Sequence, residues 1–180
     1  PALIGKRAPA RERRLEAEKP HHPYREVLAR ALLAAALKVG ANLSEQQARA
    51  LPQGWGTLHL FPDVPGALRE LRRTGHRLAV LTNCDEDLFA LTHRAFPEPF
   101  DLVVTAERVR EYKPALGHFR LFQEWTRASR RQWVHVANSC YHDLLPARTF
   151  GLRCLWLDRV GTGGEATAAC ARLRSAVGLA

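Results

Sequence analysis

Leu78-Ala79-Val80-Leu81-Thr82-Asn83 is the stretch on which the fold turns. Four consecutive apolar residues followed by a hydroxyl and an amide read as a strand covered on both faces, of the kind found in parallel sheets. Downstream, Asp85 opens a predicted helix over 85–95 that Pro97 and Pro99 stop. Upstream, Asp63 is positioned to cap a helix with Pro65 in its first turn, which buries Val64, Leu68 and Leu71 and ends at Thr74-Gly75. The alternation continues with a strand at Leu102-Val103-Val104, a helix over 114–127, a strand at 133–136, a helix over 141–150 and a strand at 154–157. A loop at 161–164 and a closing helix over 165–177 complete the expected order. Such alternation predicts an α/β fold of right-handed βαβ units in a parallel sheet.

Residues 1–60 read differently. Val27, Leu28, Ala31, Leu32, Ala35 and Ala36 recur at helical spacing over 24–38, and Ser44 with Gln47 forms a capping-box start for a second short helix. Gly54, Gly56 and Pro62 mark the connection to the helix–strand alternation, while residues 1–20 are basic and punctuated by proline, hence expected to be flexible. Residues 20–55 therefore read as a small helical unit, separate in character from the helix–strand alternation that starts at Asp63.

Strand ends are where the chemistry is expected, because the carboxyl ends of parallel strands line a shared crevice. Thr82 ends its strand with a hydroxyl and a backbone N–H suited to an oxyanion, and Asn83 adds an amide donor. The plainer reading of the same residues is a strand-to-helix turn with Asp85 as its cap. Lys113 precedes Pro114, which holds Tyr112-Lys113 extended and directs the ammonium toward the crevice; the alternative is a surface lysine at a helix start. Asn138-Ser139-Cys140-Tyr141-His142-Asp143 comes after the third strand. Asp143 there is a candidate to accept loop N–H groups, orient Lys113 or ligate a hard cation, while His142 reads as a helix-start residue. One acid beside a neutral Asn138 is a weak Mg²⁺ site.

The totals exclude several classes. A net charge of +9 and a pI near 10.1 would fit a polyanion partner, yet the arginines are spread along the chain, densest at Lys6-Arg7 and 11–14. Interleaved aromatics and paired Cys/His ligands are absent, so no specific nucleic acid is expected, only weak association at low salt. No apolar run reaches the ~18–20 residues of a membrane span. Cys84, Cys140, Cys154 and Cys170 show no metal spacing and read as reduced thiols of a cytoplasmic protein, with a Cys84–Cys140 disulfide as the lesser alternative.

Over about Tyr24 to Arg159 the sequence resembles the type II, (S)-2-haloacid dehalogenase-like branch of the haloacid dehalogenase superfamily. The resemblance rests on Tyr24-Arg25-Glu26-Val27-Leu28, Phe61-Pro62-Asp63-Val64, Leu78 to Asn83, Phe100 to Glu107, Tyr112-Lys113-Pro114, and His135 to Ser139 with His142-Asp143. It implies a Rossmann-like parallel sheet core with helices on both faces over 61–180, a helical, cap-like region over 1–60, and hydrolysis of a small anionic substrate through an aspartyl-enzyme intermediate. Thr82, Lys113 and Asp143 would be catalytic, with Asn83, Asn138 and Ser139 binding substrate. No cofactor is implied for a dehalogenase, whereas a phosphatase of the same superfamily would use Mg²⁺. A homodimer stays open.

Two departures shape the expectation. An acid usually stands at the position of Asn138 in the phosphatases, which favours the metal-independent side; the dehalogenase pattern in that loop also differs from the order found here. The superfamily's first strand, which ends in an Asp-x-Asp nucleophile and lies centrally in the sheet, does not precede Thr82 in this sequence. The chain is therefore expected to be a fragment, inactive as it stands. The alternative is a degenerate, non-catalytic binding module.

Overall fold

A computed structural model describes residues 12–161 and 171–179. In chain order the elements are α1 (Tyr24–Lys38), α2 (Glu45–Gln53), α3 (Val64–Arg73), β1 (Ala79–Thr82), α4 (Glu86–His93), β2 (Leu102–Thr105), α5 (Ala106–Val109), α6 (Gly117–Thr126), β3 (Val134–Ala137), α7 (Leu145–Thr149), β4 (Arg153–Leu157) and β5 (Ala171–Leu173). Among the described residues they gather into two compact units: residues up to 59, 83–95 and 106–112 form the first, and 60–82, 96–105 and those from 113 onward the second.

The first unit is helical. α1 and α2 pack on one another, and most of what they bury is small: Ala29, Ala31, Ala35 and Ala36 of α1 and Ala48 of α2, beside Val27 and Pro52. The expected capping box is present, with the Ser44 hydroxyl accepting from Gln47 N–H at 3.2 Å and the Gln47 side chain accepting from Ser44 N–H at 2.9 Å. α1 begins at Pro23, which has no side chain able to cap. Its first N–H groups are satisfied instead by Asp85, whose carboxylate accepts from Tyr24 N at 2.7 Å and Arg25 N at 3.0 Å. A buried anion at a helix N-terminus answers both the orphan donors and the helix dipole. Asp85 is also the residue before α4, but its side chain makes no cap bond there, contrary to the sequence expectation. Leu15, Val27, Ala31, Ala106 and Tyr112 close this unit's core.

The second unit carries the parallel strands, in two ladders. β1 pairs with β2, Thr82 opposite Thr105, and β3 pairs with β4, which pairs with β5. Among the described residues no ladder joins β1 to β3. Phe119, Leu144, Ala147, Phe150, Leu152, Cys154 and Trp156 form the core, against which Leu81 of β1 and Ala137 of β3 both pack. The predicted α/β alternation with parallel strands is therefore what the chain adopts.

Several details depart from expectation. The closing helix is absent from its described part: Ala171–Leu173 forms β5, in register with Leu155–Leu157, and Ala176–Leu179 is a 3-10 turn. The remainder of that prediction lies outside the described residues, as do the basic residues 1–11. The helix expected from Pro114 starts at Gly117, and the one expected over 141–150 is divided into a π turn, Cys140–Leu144, and the short α7. Asp63 does not cap α3. Its carboxylate accepts from Arg159 Nη1 at 2.9 Å, Ser175 Oγ at 2.7 Å and Ala176 N at 2.7 Å, tying the start of α3 to the chain after β5. These contacts, the Arg159 bond foremost, hold its carboxyl well below the usual range. Cys84, Cys140 and Cys154 are thiols; Cys170 is outside the described residues.

Candidate active site

At the carboxyl end of β1, the Lys113 side chain turns inward. Its Nζ donates to Leu81 O at 2.7 Å and to Asp143 Oδ1 at 2.5 Å. Lys113 is 6% exposed and Asp143 9%, so the pair is withdrawn from water on both sides. Asp143 sits in the π turn after β3, where Asp143 N and Leu144 N both donate to Ser139 O. That extra residue per turn aims the carboxylate back toward the strand, a local irregularity of the kind that recurs at functional sites.

Two histidines complete the cluster. His135 is the inward residue of β3, flanked by the exposed Val134 and Val136, and its Nε2 donates to the same Asp143 Oδ1 at 3.0 Å. His118, in the first turn of α6, is fully buried with Nε2 3.0 Å from Thr82 O. A carbonyl only accepts, so Nε2 carries the proton and Nδ1 the lone pair; Nδ1 has no partner among the described residues. Burial first, and then the Lys113 charge, push the His118 imidazole down to about 4. Burial alone would raise the Asp143 carboxyl, but the Lys113 ammonium and the His135 bond outweigh it and bring it down to about 2. At neutral pH the centre thus holds a buried ammonium–carboxylate pair beside an uncharged His118.

The predicted site residues divide between this cluster and its surroundings. Lys113 and Asp143 share one hydrogen-bonded set with Leu81 O and His135, while Thr82, the next residue of β1, is engaged through its backbone carbonyl by His118. Asn138 Nδ2 donates to Leu157 O at 2.7 Å, and Asn138 O accepts from Trp156 Nε1, so this residue braces the ends of β3 and β4. The Ser139 hydroxyl accepts from His142 N at 3.1 Å and caps the π turn. Asn83 belongs to the first unit, where its Nδ2 donates to Glu16 Oε1 at 3.1 Å. Asp158, the acid directly after β4, is buried and paired with Arg172. His118 and His135 belong to none of the strand-end positions singled out from the sequence. The alternation Val134-His135-Val136 was the available signal, since period two places the imidazole on the inward face.

The donor set suits a metal poorly. Among the described residues no three His, Cys, Asp or Glu side chains converge on one point, Asp143 Oδ1 is engaged by two donors, and Asn138 is neutral. No described helix is long and apolar enough to cross a membrane.

Residues 44–157 match the family of haloacid dehalogenase-like hydrolases. The chain belongs to that family. It is 31% identical over 140 residues to haloacetate dehalogenase H-2 of Moraxella sp. (strain B), covering 77% of this chain and 62% of that protein's length. Its fold superposes on an L-2-haloacid dehalogenase crystal structure with a TM-score of 0.86 at 23% identity, covering 99% of this chain and 82% of the other. The L-2-haloacid dehalogenase of Xanthobacter autotrophicus, solved with chloropropionic acid covalently bound, gives 0.83 at 15% identity, covering 98% and 83%. These last two likenesses concern the fold.

Proposed function

We propose that this chain supplies the lysine–aspartate half of a dehalogenase-type active site acting on small 2-haloacids. The observation that carries the reading is the buried Lys113–Asp143 pair beneath the end of β1. An ammonium withdrawn from water is a strong electrostatic partner for an anionic substrate and for a carboxylate nucleophile. In the proposed reaction that carboxylate attacks the carbon bearing the halogen. A C–O ester bond forms as the C–X bond breaks, and the halide leaves with the bonding pair. Water then hydrolyses the ester, releasing the hydroxy acid and restoring the carboxylate. Thr82 stabilises developing oxyanion charge, Asn138 and Ser139 bind the substrate, and Asp143 keeps Lys113 oriented and helps activate water. Residues 1–60 act as the cap-like region and 61–180 as the core. The neutral Asn138 and the doubly engaged Asp143 favour a metal-independent dehalogenase over an Mg²⁺ phosphatase.

The nucleophile is the part this sequence does not contain. Residues 1–81 hold one aspartate, Asp63, and Arg159, Ser175 and Ala176 engage its carboxylate. A strand ending in an aspartate and laid between β1 and β3 would satisfy both unladdered edges and bring its carboxylate toward Lys113. The test is halide release from 2-chloropropionate, with phosphate esters and Mg²⁺ as the contrast. Residues 1–180 alone should release none, and an added apolar peptide ending in Asp-x-Asp should restore release that Lys113→Ala abolishes. Release by residues 1–180 alone, lost in Lys113→Ala, would overturn the missing-nucleophile reading.

A further inference from the structure

The arginines of this protein differ in their surroundings. Arg25, Arg30, Arg72, Arg73, Arg108, Arg159 and Arg172 are each held by a carboxylate. Others, among them Arg49, Arg69 and Arg94 as well as Arg127, Arg130, Arg131 and Arg153, are exposed and make no ion pair among the described residues; the last four differ from the rest in lying close together. These four come from two abutting segments at the amino-terminal edge of the β3–β4 ladder. The turn between α6 and β3 is closed by Ser129 N donating to Gln132 Oε1 and Gln132 N donating to Ser129 O. Arg130 from this turn lies over the Phe150 ring, 4.8 Å from its centroid, and against Gly151. Arg153 Nη2, from the start of β4, donates to Arg131 O at 3.0 Å and so fastens the two segments.

Their surroundings offer little to neutralise them. Between Pro114 and Leu157 the sequence has two acids, Glu124 and Asp143, against six arginines, and Asp143 is buried with Lys113. A helix C-terminus accounts for a basic residue at Arg127; it does not account for Arg130, Arg131 and Arg153. At the same end of α6, Trp125 is 44% exposed. Planar guanidiniums suit phosphate oxygens bidentately, and an exposed indole suits a base face.

We infer that the Arg127–Arg131 turn, Arg153 and Trp125 form a docking surface for the phosphate backbone of single-stranded nucleic acid, independent of sequence. It lies at the opposite end of β3 and β4 from Lys113 and Asp143, so it is separate from the hydrolase reading. All arginine and no lysine, with one large exposed aromatic, favours a strand with unpaired bases over a lipid surface.

The experiment is fluorescence anisotropy of the 180-residue chain with a labelled mixed-sequence 20-nucleotide RNA at increasing NaCl. Four phosphate contacts give a log–log salt slope of about −3. Arg130→Glu/Arg131→Glu/Arg153→Glu should weaken binding at least tenfold, and Trp125→Ala about fivefold. Arg49→Glu/Arg69→Glu/Arg94→Glu, which changes the net charge equally at other exposed sites, should stay within twofold. Arg130→Gln/Arg131→Gln/Arg153→Gln repeats the test should the glutamate variant fail to fold. Equal losses in patch and control variants, a slope shallower than about −1, or tighter binding to vesicles of anionic phospholipid than to RNA would each overturn the assignment.

Discussion

Lys113 and Asp143 form a buried ion pair 2.5 Å long whose carboxylate oxygen also receives a histidine. Neither charge reaches bulk water, so each depends on the other for most of its stabilisation. Breaking such a pair from one side leaves an uncompensated buried charge, whereas replacing both sides with apolar groups is far milder. Lys113→Met should therefore cost on the order of 3–5 kcal/mol of folding stability. The double variant Lys113→Met/Asp143→Leu should recover most of that loss in urea denaturation. A single variant as stable as the parent would show that the pair is solvated in solution.

His118 makes stability depend on pH above the range where carboxylates titrate. Its folded value lies near 4, below the ordinary 6.5, so between those limits the unfolded chain binds a proton that the folded chain does not. Stability is then complete above about pH 6.5 and falls as the pH drops toward 4, by on the order of 3 kcal/mol in total. Asp143, brought down to about 2, extends the loss to still lower pH, since its contribution is present above the unfolded carboxyl value and disappears on acidification through 2. Unfolding free energies at pH 7 and 4.5 should differ much less in His118→Gln, which keeps a donor toward Thr82 O without titrating.

Two helix caps of different origin allow a direct comparison. Ser44 caps α2 from the adjacent residue at an exposed site, and Ser44→Ala should cost about 1 kcal/mol. Asp85 caps α1 from sixty residues away while almost fully buried, and Asp85→Ala should cost about twice as much, on the order of 2 kcal/mol. Thermal unfolding followed by circular dichroism separates the two; equal shifts would mean that burial adds nothing to the Asp85 cap.

Asp63 joins the start of α3 to residues 175 and 176. Asp63→Ala should speed amide exchange at Ala176 and Val177 by about tenfold or more while leaving the β1–β2 ladder protected. Uniform acceleration across the second unit would instead indicate that the carboxylate supports the whole of it.

The strands were legible because continuous apolar runs have few other uses in an α/β chain. β2 was expected at 102–104 and spans 102–105, and the Ser44 capping box announced α2. Lys113 and Asp143 could be singled out because proline and a strand end constrain where each points. Three-dimensional partnerships were harder to read. Asp63 and Asp85 both look like local caps, and both bind groups distant in sequence, because a carboxylate serves whichever N–H or guanidinium the fold brings nearest. β5 was mistaken for helix because a three-residue edge strand carries no periodicity of its own. His135 was overlooked since one polar residue between valines looks incidental until Asp143 is placed against it.

The buried alanines of α1 and α2 have a bearing on how this protein can change. Ala31, Ala35, Ala36 and Ala48 are at or below 5% exposure, so each sits in a space its neighbours fill. Drift toward bulkier residues at those four positions would displace packed atoms instead of filling a void. Variation in these helices is thereby steered to their outward surfaces, and the four inward positions stay confined to the smallest amino acids.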